Sequence, residues 1–365
     1  MELQKRSQLV SFIALGAVLF IFCLVGTNKN TFFYALPPYP SLLNTSFENY
    51  TVVQVDFFNT SMAKLSIIDL VFRDLQNSSK IVIKRRILNT DRDEIYVTEL
   101  PLLVPANITA TDLFNTSTLK PDYTKSEVGI RPLMAPAFAT GSLSSDMNAK
   151  SDVLIIGLGG AHMNNFLHHK FPKMNMTVAE LEPTMVEVAR KYFGLKEDET
   201  QRVFVMNGLD YLQKAAKNGW KYDAIYIDAC PTRYPLEEEI MCPVEVFRED
   251  SSIALMRKVL KNNGSLVIKM LLFYDDVDEK AEKVADLYRK HFANCAVLEM
   301  MTLQNRVIVC SPEGVPKNRY EKNALEENAV KFYMDTGLVD DECCLATVDE
   351  CCIYEHPITT ETPSH

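Results

Sequence analysis

From residue 152 onward, short apolar runs alternate with amphipathic segments, and this alternation limits the possible folds more than any other feature. The run Asp152-Val-Leu-Ile-Ile156 is typical of a buried strand, whereas Thr184 to Phe193 places its apolar side chains along one helical stripe. The predicted strands are 152–156, 176–180, 202–206, 222–228, 265–272, 296–301 and 305–310, and the predicted helices are 164–171, 184–193, 208–218, 244–261 and 277–292. This order predicts an α/β domain with helices on both faces of a mainly parallel sheet and an antiparallel edge.

The preceding region has a different pattern. Three short segments, 51–57, 80–84 and 94–98, are β-like and are separated by Asn, Asp and Ser clusters, which predicts a small antiparallel unit. Residues 105–150 lack clear periodicity, so we expect a long connection with one helix near 128–141. The predicted domains are therefore 1–30, 31–150, 151–315 and a helical, Cys-rich tail at 316–365.

An uncharged apolar run near the start of the chain predicts a membrane segment. Leu9 to Gly26 contains 18 residues without a charge and follows Lys5 and Arg6. This length is just enough to span a bilayer, and the basic flank places the N-terminus in the cytoplasm. We therefore predict a signal anchor and a single-pass type II membrane protein of the secretory pathway or cell surface. A cleaved signal peptide, which would make the protein secreted, and a buried soluble helix are the alternatives.

Glycosylation sequons support that topology. Six Asn-x-Ser/Thr motifs crowd between positions 44 and 117, and they begin at Asn44, Asn49, Asn59, Asn77, Asn107 and Asn115. Two more, at Asn175 and Asn263, fall within the α/β region, where we do not expect both to be modified. The alternative is that residues 35–120 are simply rich in Asn, Ser and Thr.

Eight of the nine cysteines lie beyond the apolar run. The pairs Cys343-Cys344 and Cys351-Cys352 predict a disulfide-linked tail in an oxidising compartment, with a zinc site as the less favoured alternative. Four others are equally consistent with small core residues and with bridge partners, namely Cys230, Cys242, Cys295 and Cys310. We predict no metal as a cofactor.

The charge of the chain excludes one class of partner. It has 38 basic and 48 acidic residues and a formal net charge of -10, which argues against binding nucleic acid by neutralising phosphates. The composition, with 47% hydrophobic and 24% charged residues, is that of a globular protein.

A glycine-rich turn, Gly157-Leu158-Gly159-Gly160, follows the first strand of the α/β region. Backbone N–H groups in such a turn can approach a ligand at a helix N-terminus, although a tight turn can also use glycines for structural reasons alone. His162 stands where a dinucleotide motif has its last glycine, which favours S-adenosylmethionine over NAD. As a catalytic base His162 is less favoured than as a surface hydrogen-bonding residue.

Polar residues or glycines also follow the next three strands. Glu180 ends the second strand and can accept the two hydroxyls of a ribose, Asn207-Gly208 ends the third, and Asp228 ends the fourth. Because the carboxyl ends of parallel strands share one edge, these residues predict a nucleoside site there. The loop after Asp228, through Cys230, Arg233, Tyr234 and Glu237 to Glu239, would form the acceptor rim or an ordinary solvated loop.

Residues Val153 to Pro312 resemble the spermidine synthase-like methyltransferases, and most closely the carboxyl-terminal half of the methyltransferase-like proteins that modify translation elongation factor 1-alpha. The resemblance rests on Leu154-Ile-Ile-Gly-Leu-Gly-Gly160, Phe166-Leu-His-His-Lys-Phe-Pro172, Glu180 to Gly194, Asn207-Gly-Leu-Asp-Tyr-Leu212 and Met241-Cys-Pro243. Thr90 to Leu100 is similar to the short β segment that spermidine synthases place over the active site. The resemblance implies a small β domain followed by a Rossmann-like class I methyltransferase sheet.

The resemblance also implies roles for the strand-end residues. Gly157, Gly159 and Gly160 would cradle the amino-acid part of S-adenosylmethionine, and Glu180 would bind its ribose. Asn207, followed by Gly208, would meet the adenine, and Asp228 would border the transfer site as the candidate catalytic residue.

Three departures from the synthase pattern bear on the reaction. Asn207-Gly208 replaces Asp-Gly, Asp228-Ala-Cys-Pro231 replaces Asp-x-x-Asp, and Val97-Thr98 replaces the Tyr-Gln pair. These departures favour methyl transfer to an unknown acceptor, such as a protein, over polyamine aminopropyl transfer. A catalytically inactive luminal or extracellular binding module of the same fold is the second hypothesis, and an aminopropyltransferase is the third. By analogy with the synthases, the protein could form a homodimer.

Overall fold

The computed structural model describes residues 50–60, 63–73, 80–90, 96–108, 115–126, 128–231, 239–273, 276–300, 304–312 and 319–338. The predicted anchor Leu9–Gly26, the sequons at Asn44, Asn49 and Asn77, and the four tail cysteines lie outside these residues and stay predictions. Within them, no helix is both long enough and apolar enough to cross a membrane. All described residues belong to one unit, Asn49–His365.

Four antiparallel strands in consecutive order form the small N-terminal sheet: β1 (Thr51–Asn59), β2 (Lys64–Arg73), β3 (Ile81–Asn89) and β4 (Tyr96–Pro101). The sequence predicted β1, β3 and β4 but not β2, the most buried of the four. Its residues between the two ends are all buried. The polar/apolar alternation that marks a half-exposed strand is therefore absent from it.

The large sheet has eight strands, and five neighbours in it, β10-β8-β5-β6-β7, run parallel. They are β5 (Asp152–Ile156), β6 (Asn175–Glu180), β7 (Gln201–Val205), β8 (Tyr222–Ile227) and β10 (Leu260–Leu272). The predicted antiparallel edge is confirmed, because β12 (Asn305–Ser311) pairs with β10 and with β11 (Asn294–Glu299). A short strand that was not predicted, β9 (Ile240–Cys242), also pairs with β10.

Helices cover both faces of this sheet. They are α1 (Arg131–Ala139), α2 (His162–Lys170), α3 (Pro183–Tyr192), α4 (Gly208–Asn218), α5 (Asp250–Val259), α6 (Val277–Arg289) and α7 (Arg319–Thr336). Along β5, Val153 and Ile155 join the apolar cluster under α1, α2 and α7, whereas Leu154 and Ile156 join the one under α4, α5 and α6. The side chains of an internal strand alternate between the two faces, which explains why β5 is apolar from Val153 to Ile156.

Arg85, at the centre of the small sheet, connects that sheet to the large domain. Its Nε and Nη2 each donate to Asp69 at 2.8 Å, and its Nη1 donates to the Tyr192 carbonyl, at the end of α3, at 3.1 Å. Nη2 also donates to the carbonyl of Thr116 at 2.8 Å. The buried guanidinium therefore satisfies a buried carboxylate and two carbonyls from outside the small sheet.

Four cysteines whose role the sequence left open form two disulfides, Cys230–Cys242 and Cys295–Cys310. The second joins the adjacent strands β11 and β12, where the two residues are register partners. The first disulfide joins Cys230, just after β8, to Cys242, the last residue of β9. It therefore links the two ends of the loop that follows Asp228.

The described sequons differ in their environment. Asn59, Asn107 and Asn115 are exposed, and Asn115 caps a short 3-10 helix through its amide oxygen rather than through the nitrogen that a glycan would carry. Asn175, in contrast, donates through its side-chain nitrogen to Asp152 at 2.7 Å, so a glycan there would break a contact of the folded domain.

Candidate functional site at the carboxyl edge of the sheet

The residues that follow β8, β5, β6 and β7 lie next to one another, as the sequence predicted. The Asp228 N–H donates to the Ile156 carbonyl at 2.9 Å, the Gly157 N–H to Ala179 at 2.9 Å, and the Met206 N–H to Glu180 at 2.8 Å. These hydrogen bonds continue the sheet one residue past its regular pairing. One edge of the sheet therefore presents Asp228, the glycine turn, Glu180 and Asn207 in that order.

The glycine turn has a backbone that side chains disfavour. Gly157 has a φ of +98° and Gly159 a φ of +52°, and Ala161, which is not a glycine, has a φ of 59°. A Cβ at Gly157 would also lie 2.2 Å from the carbonyl oxygen of Asp228. Gly157 is thus required both by its conformation and by the close approach of two strand ends.

Strand β4 of the small sheet covers the turn. The Gly160 N–H donates to Thr98 Oγ1 at 2.8 Å, and a Cβ at Gly160 would lie 2.7 Å from the methyl carbon of Thr98. The N–H groups of Gly157, Leu158 and Ala161 also have acceptors within the protein. Packing against Thr98 therefore explains part of the glycine pattern. Gly159 differs, because we find no protein acceptor for its N–H among the described residues.

Glu180 is buried at the end of β6, with both carboxylate oxygens held by the backbone. Oε2 accepts from the Leu158 N–H at 2.7 Å and Oε1 from the Glu182 N–H at 2.8 Å. Burial raises the pKa of Glu180, and the backbone hydrogen bonds from Glu182, Leu158 and Leu181 act in the opposite direction. Because each oxygen has a second lone pair, the carboxylate keeps acceptor capacity for a ligand.

Two apolar side chains are exposed beside this carboxylate. Leu181 is 54% exposed, and Val205, the register partner of Glu180 on β7, is 51% exposed. Leu181 is flanked by two buried acids, Glu180 and Glu182. Apolar surface next to a buried acceptor is suited to a nucleoside, whose ribose hydroxyls can reach the acceptor while its flat base lies on the apolar side chains.

Asn207 is the N-cap of α4. Its Oδ1 accepts from the Leu209 N–H at 2.8 Å, so the amide oxygen is used in the helix cap. The next residue, Gly208, is required by packing, because a Cβ there would lie 2.4 Å from the Cγ2 of Ile156. The proposed contact between Asn207 and adenine stays a prediction.

Asp228 forms an ion pair that sequence analysis missed. Its Oδ1 lies 3.0 Å from the Nζ of Lys269, on the neighbouring strand β10. The sequence held a signal, because Lys269 is the one charged residue within the apolar run Ser265-Leu-Val-Ile-Lys-Met-Leu-Leu272. A charge inside a strand of this kind is costly unless it is paired.

His162 is buried, contrary to the expectation of a surface residue. It begins α2, its Nε2 lies 3.3 Å from Ser126 Oγ, and its ring also hydrogen-bonds to the backbone of Glu99. Burial lowers the pKa of His162 to about 4. The imidazole is therefore neutral at pH 7 and joins α2 to the small sheet.

Most of the predicted acceptor rim, including Arg233, Tyr234 and Glu237, lies outside the described residues. At the far end of this loop, the Glu239 carbonyl accepts from the Phe273 N–H at 2.9 Å and its carboxylate lies 3.7 Å from the Nζ of Lys280. In the part of the chain that the structure covers, no three His, Cys, Asp or Glu side chains are placed to hold a metal ion.

Comparison with known proteins finds a similar domain over a range of residues that includes this edge of the sheet. The sequence profile of the "Spermine/spermidine synthase domain" family matches residues 139–309. The chain is 26% identical over 178 residues to the eEF1A lysine and N-terminal methyltransferase homolog of Drosophila melanogaster, which is 48% of this chain and 26% of that protein. It is 33% identical over 89 residues to the polyamine aminopropyltransferase of Vibrio vulnificus, 24% of this chain and 29% of that protein.

The chain thus spans less than a third of the length of each of these relatives. Among solved structures, it is similar to the crystal structure of human methyltransferase-like protein 13 in complex with SAH, with a TM-score of 0.50 and 22% identity over 58% of this chain and 94% of that one. This likeness concerns the fold. Residues 139–309 are therefore similar to the spermine/spermidine synthase domain, and they have a Rossmann-like α/β fold.

Proposed function

We propose that this protein is an S-adenosylmethionine-dependent methyltransferase whose cofactor binds at the carboxyl edge of the large sheet. The observation that carries the proposal is the buried Glu180, held by two backbone N–H groups next to the glycine turn and the exposed Leu181. The matches to methyltransferases that modify eEF1A support the same class of reaction.

Each strand end has a distinct part in this proposal. Glu180 accepts the ribose hydroxyls, Leu181 contacts the adenine ring, and the turn at Gly159 holds the amino-acid part. When bound, S-adenosylmethionine supplies a sulfonium methyl group that is already electrophilic, so the protein needs mainly to position the acceptor and exclude water. Asp228, one strand away from the turn, borders the position of the methyl group.

Aminopropyl transfer is less well supported by the same geometry. That reaction requires acids that bind and deprotonate a diamine, and here the carboxylate of Asp228 is paired with Lys269. Pro231 occupies the position of the second acid, and Thr98 makes a hydrogen bond to the glycine turn.

Calorimetric titration of the purified full-length chain tests this proposal. S-adenosylmethionine is expected to bind with micromolar affinity and more tightly than its decarboxylated form. Glu180→Gln is expected to weaken binding at least about tenfold, because one of its backbone donors then faces an NH2 group. Glu182→Gln is the matched control, since it removes the same charge from the N-cap of α3.

Two outcomes would reject methyl transfer. Tighter binding of decarboxylated S-adenosylmethionine would favour aminopropyl transfer. Binding of neither compound, by a chain whose unfolding transition is intact, would favour an inactive binding module.

We further propose that the α/β domain folds in the secretory pathway, held at the membrane by Leu9–Gly26. The two disulfides and the exposed sequons at Asn59, Asn107 and Asn115 support an oxidising, glycosylating compartment. After expression in a secretory cell, endoglycosidase treatment is expected to raise the mobility of the protein. Asn→Gln at these three positions should remove part of that shift, and an unchanged mobility would contradict the proposal.

A further inference from the structure

Thr98, on strand β4 of the small sheet, lies directly over the glycine turn. Its Oγ1 accepts from the Gly160 N–H at 2.8 Å, and a Cβ at Gly159 would lie 3.0 Å from the same oxygen. The methyl carbon of Thr98 packs against Gly160, where a Cβ would lie 2.7 Å from it. Thr98 is only partly buried, whereas the next residue, Glu99, is buried. Its side chain is therefore fixed beside the turn without being fully enclosed by the protein.

The hydroxyl proton of Thr98 is available to a ligand. A threonine hydroxyl can donate one hydrogen bond and accept two. The Gly160 N–H uses one of the acceptor positions, so the proton is left for another partner, and no residue in the described ranges accepts it. The N–H of Gly159 likewise has no described acceptor. The fold thus brings a hydroxyl donor close to a residue whose backbone donor is also available.

Two such donors select a group that accepts hydrogen bonds. The amino-acid part of S-adenosylmethionine carries an ammonium, which only donates, and a carboxylate, which only accepts. The carboxylate is therefore the group that fits Thr98 and Gly159, and hydrogen bonds to a charged acceptor are stronger than those between neutral groups. At the neighbouring strand end the roles are reversed, because the carboxylate of Glu180 can accept from the ribose hydroxyls.

We propose that Thr98 is a specificity-determining residue that binds the carboxylate of the cofactor together with the Gly159 N–H. This contact favours S-adenosylmethionine over its decarboxylated form. The inference rests on the proposed methyltransferase function and adds the side chain that recognises the cofactor's carboxylate. Because Thr98 belongs to the small sheet, the cofactor preference of the large domain depends on how that sheet packs over the glycine turn.

Calorimetric titration of the full-length chain with three nucleosides tests this inference. S-adenosylmethionine carries the carboxylate, its decarboxylated form lacks only that group, and 5′-methylthioadenosine lacks the whole amino-acid part. In Thr98→Val a methyl group of similar size replaces the hydroxyl. The affinity for S-adenosylmethionine relative to the decarboxylated form should then fall about tenfold, because a hydrogen bond to a charged group is lost.

The ratio of these two affinities separates recognition from a purely structural role. Thr98→Val also removes the acceptor of the Gly160 N–H, but a disturbed turn would weaken both compounds alike and leave the ratio unchanged. Thr98→Ser, which keeps the hydroxyl, is the matched control and should keep the wild-type ratio. Thr98→Ala removes the hydroxyl without adding bulk and should lower the ratio as Thr98→Val does. Binding of 5′-methylthioadenosine reports whether the nucleoside site of each variant is intact.

Two results would overturn the inference. One is a ratio that Thr98→Val and Thr98→Ala leave unchanged, and the other is a fall of the ratio in Thr98→Ser that equals the fall in Thr98→Val. If the wild type binds none of the three compounds, the proposed function itself fails, and that result is distinct from an unchanged ratio.

Discussion

The interior of the small sheet and the carboxyl edge of the large one each hold an acid–base pair, but in different surroundings. The side chains of Arg85 and Asp69 are 1% and 0% exposed, and the pair is completed by carbonyls from other elements. The side chains of Lys269 and Asp228 are 25% and 23% exposed; Asp228 follows the last residue of β8, and Lys269 lies beside it within β10. The buried pair is a structural connection, whereas the edge pair is accessible to a ligand.

The largest effect that we expect comes from the buried pair. Arg85→Met leaves Asp69 buried without a counter-charge and removes the donor to Tyr192, so it should lower the free energy of unfolding by about 4 kcal/mol. Chemical denaturation measures this change. Lys84→Met, on the same strand but with a partly exposed side chain paired with Glu99, is the control and should cost about 1 kcal/mol or less.

The double change of Arg85→Met with Asp69→Leu should recover part of the loss, because no charge then stays buried. A single Arg85 variant as stable as the wild type would show that the buried pair does not connect the two sheets.

The next largest expected loss of stability comes from the glycine turn at the carboxyl edge of the large sheet. Gly157→Ala should cost about 3 kcal/mol, from the left-handed φ and from the contact with the Asp228 carbonyl. Gly219→Ala is the control, because Gly219 has a φ of +69° but no atom within 4 Å of a Cβ. Comparison of the two unfolding curves isolates the contact, and equal losses would contradict a close approach of β5 and β8.

The free energy of unfolding is expected to depend on pH through His162, which joins α2 to the small sheet. Burial lowers the pKa of His162 from 6.5 to about 4, so its neutral form stabilises the fold above pH 6.5, and this contribution falls as the pH drops. Between pH 7 and pH 5 the folded protein should lose about 2 kcal/mol from this group. His162→Phe should flatten the pH dependence of unfolding, and His169→Phe, at an exposed position, is the control. An unchanged slope in His162→Phe would argue against a buried neutral ring.

The smallest expected loss of stability comes from the edge pair, Lys269 and Asp228. Because the Lys269–Asp228 pair is partly exposed and screened by solvent, Lys269→Met should change the free energy of unfolding by less than about 1 kcal/mol. Thermal or chemical unfolding of this variant measures this change. If Lys269→Met lowered the free energy of unfolding as much as Arg85→Met, the Lys269–Asp228 pair would also be structural and the two regions would not differ.

Much of the site could be predicted because it depends on chain order. Glu180, Asn207 and Asp228 each follow an apolar strand, and parallel strands bring such positions to one edge. β2, in contrast, was missed because a strand buried on both faces lacks alternation, and the partner of its Asp69 is an arginine on another strand.

The sequence by itself determined the doubly wound order of strands and helices, the glycine turn and the acid at the end of β6, since these follow from local periodicity and spacing. Only the tertiary structure decided which cysteines pair, that Thr98 covers the turn, that His162 is buried and that Lys269 neutralises Asp228. Each of these depends on which segments meet in space, and contacts between residues far apart in the chain leave no periodic signal in the sequence.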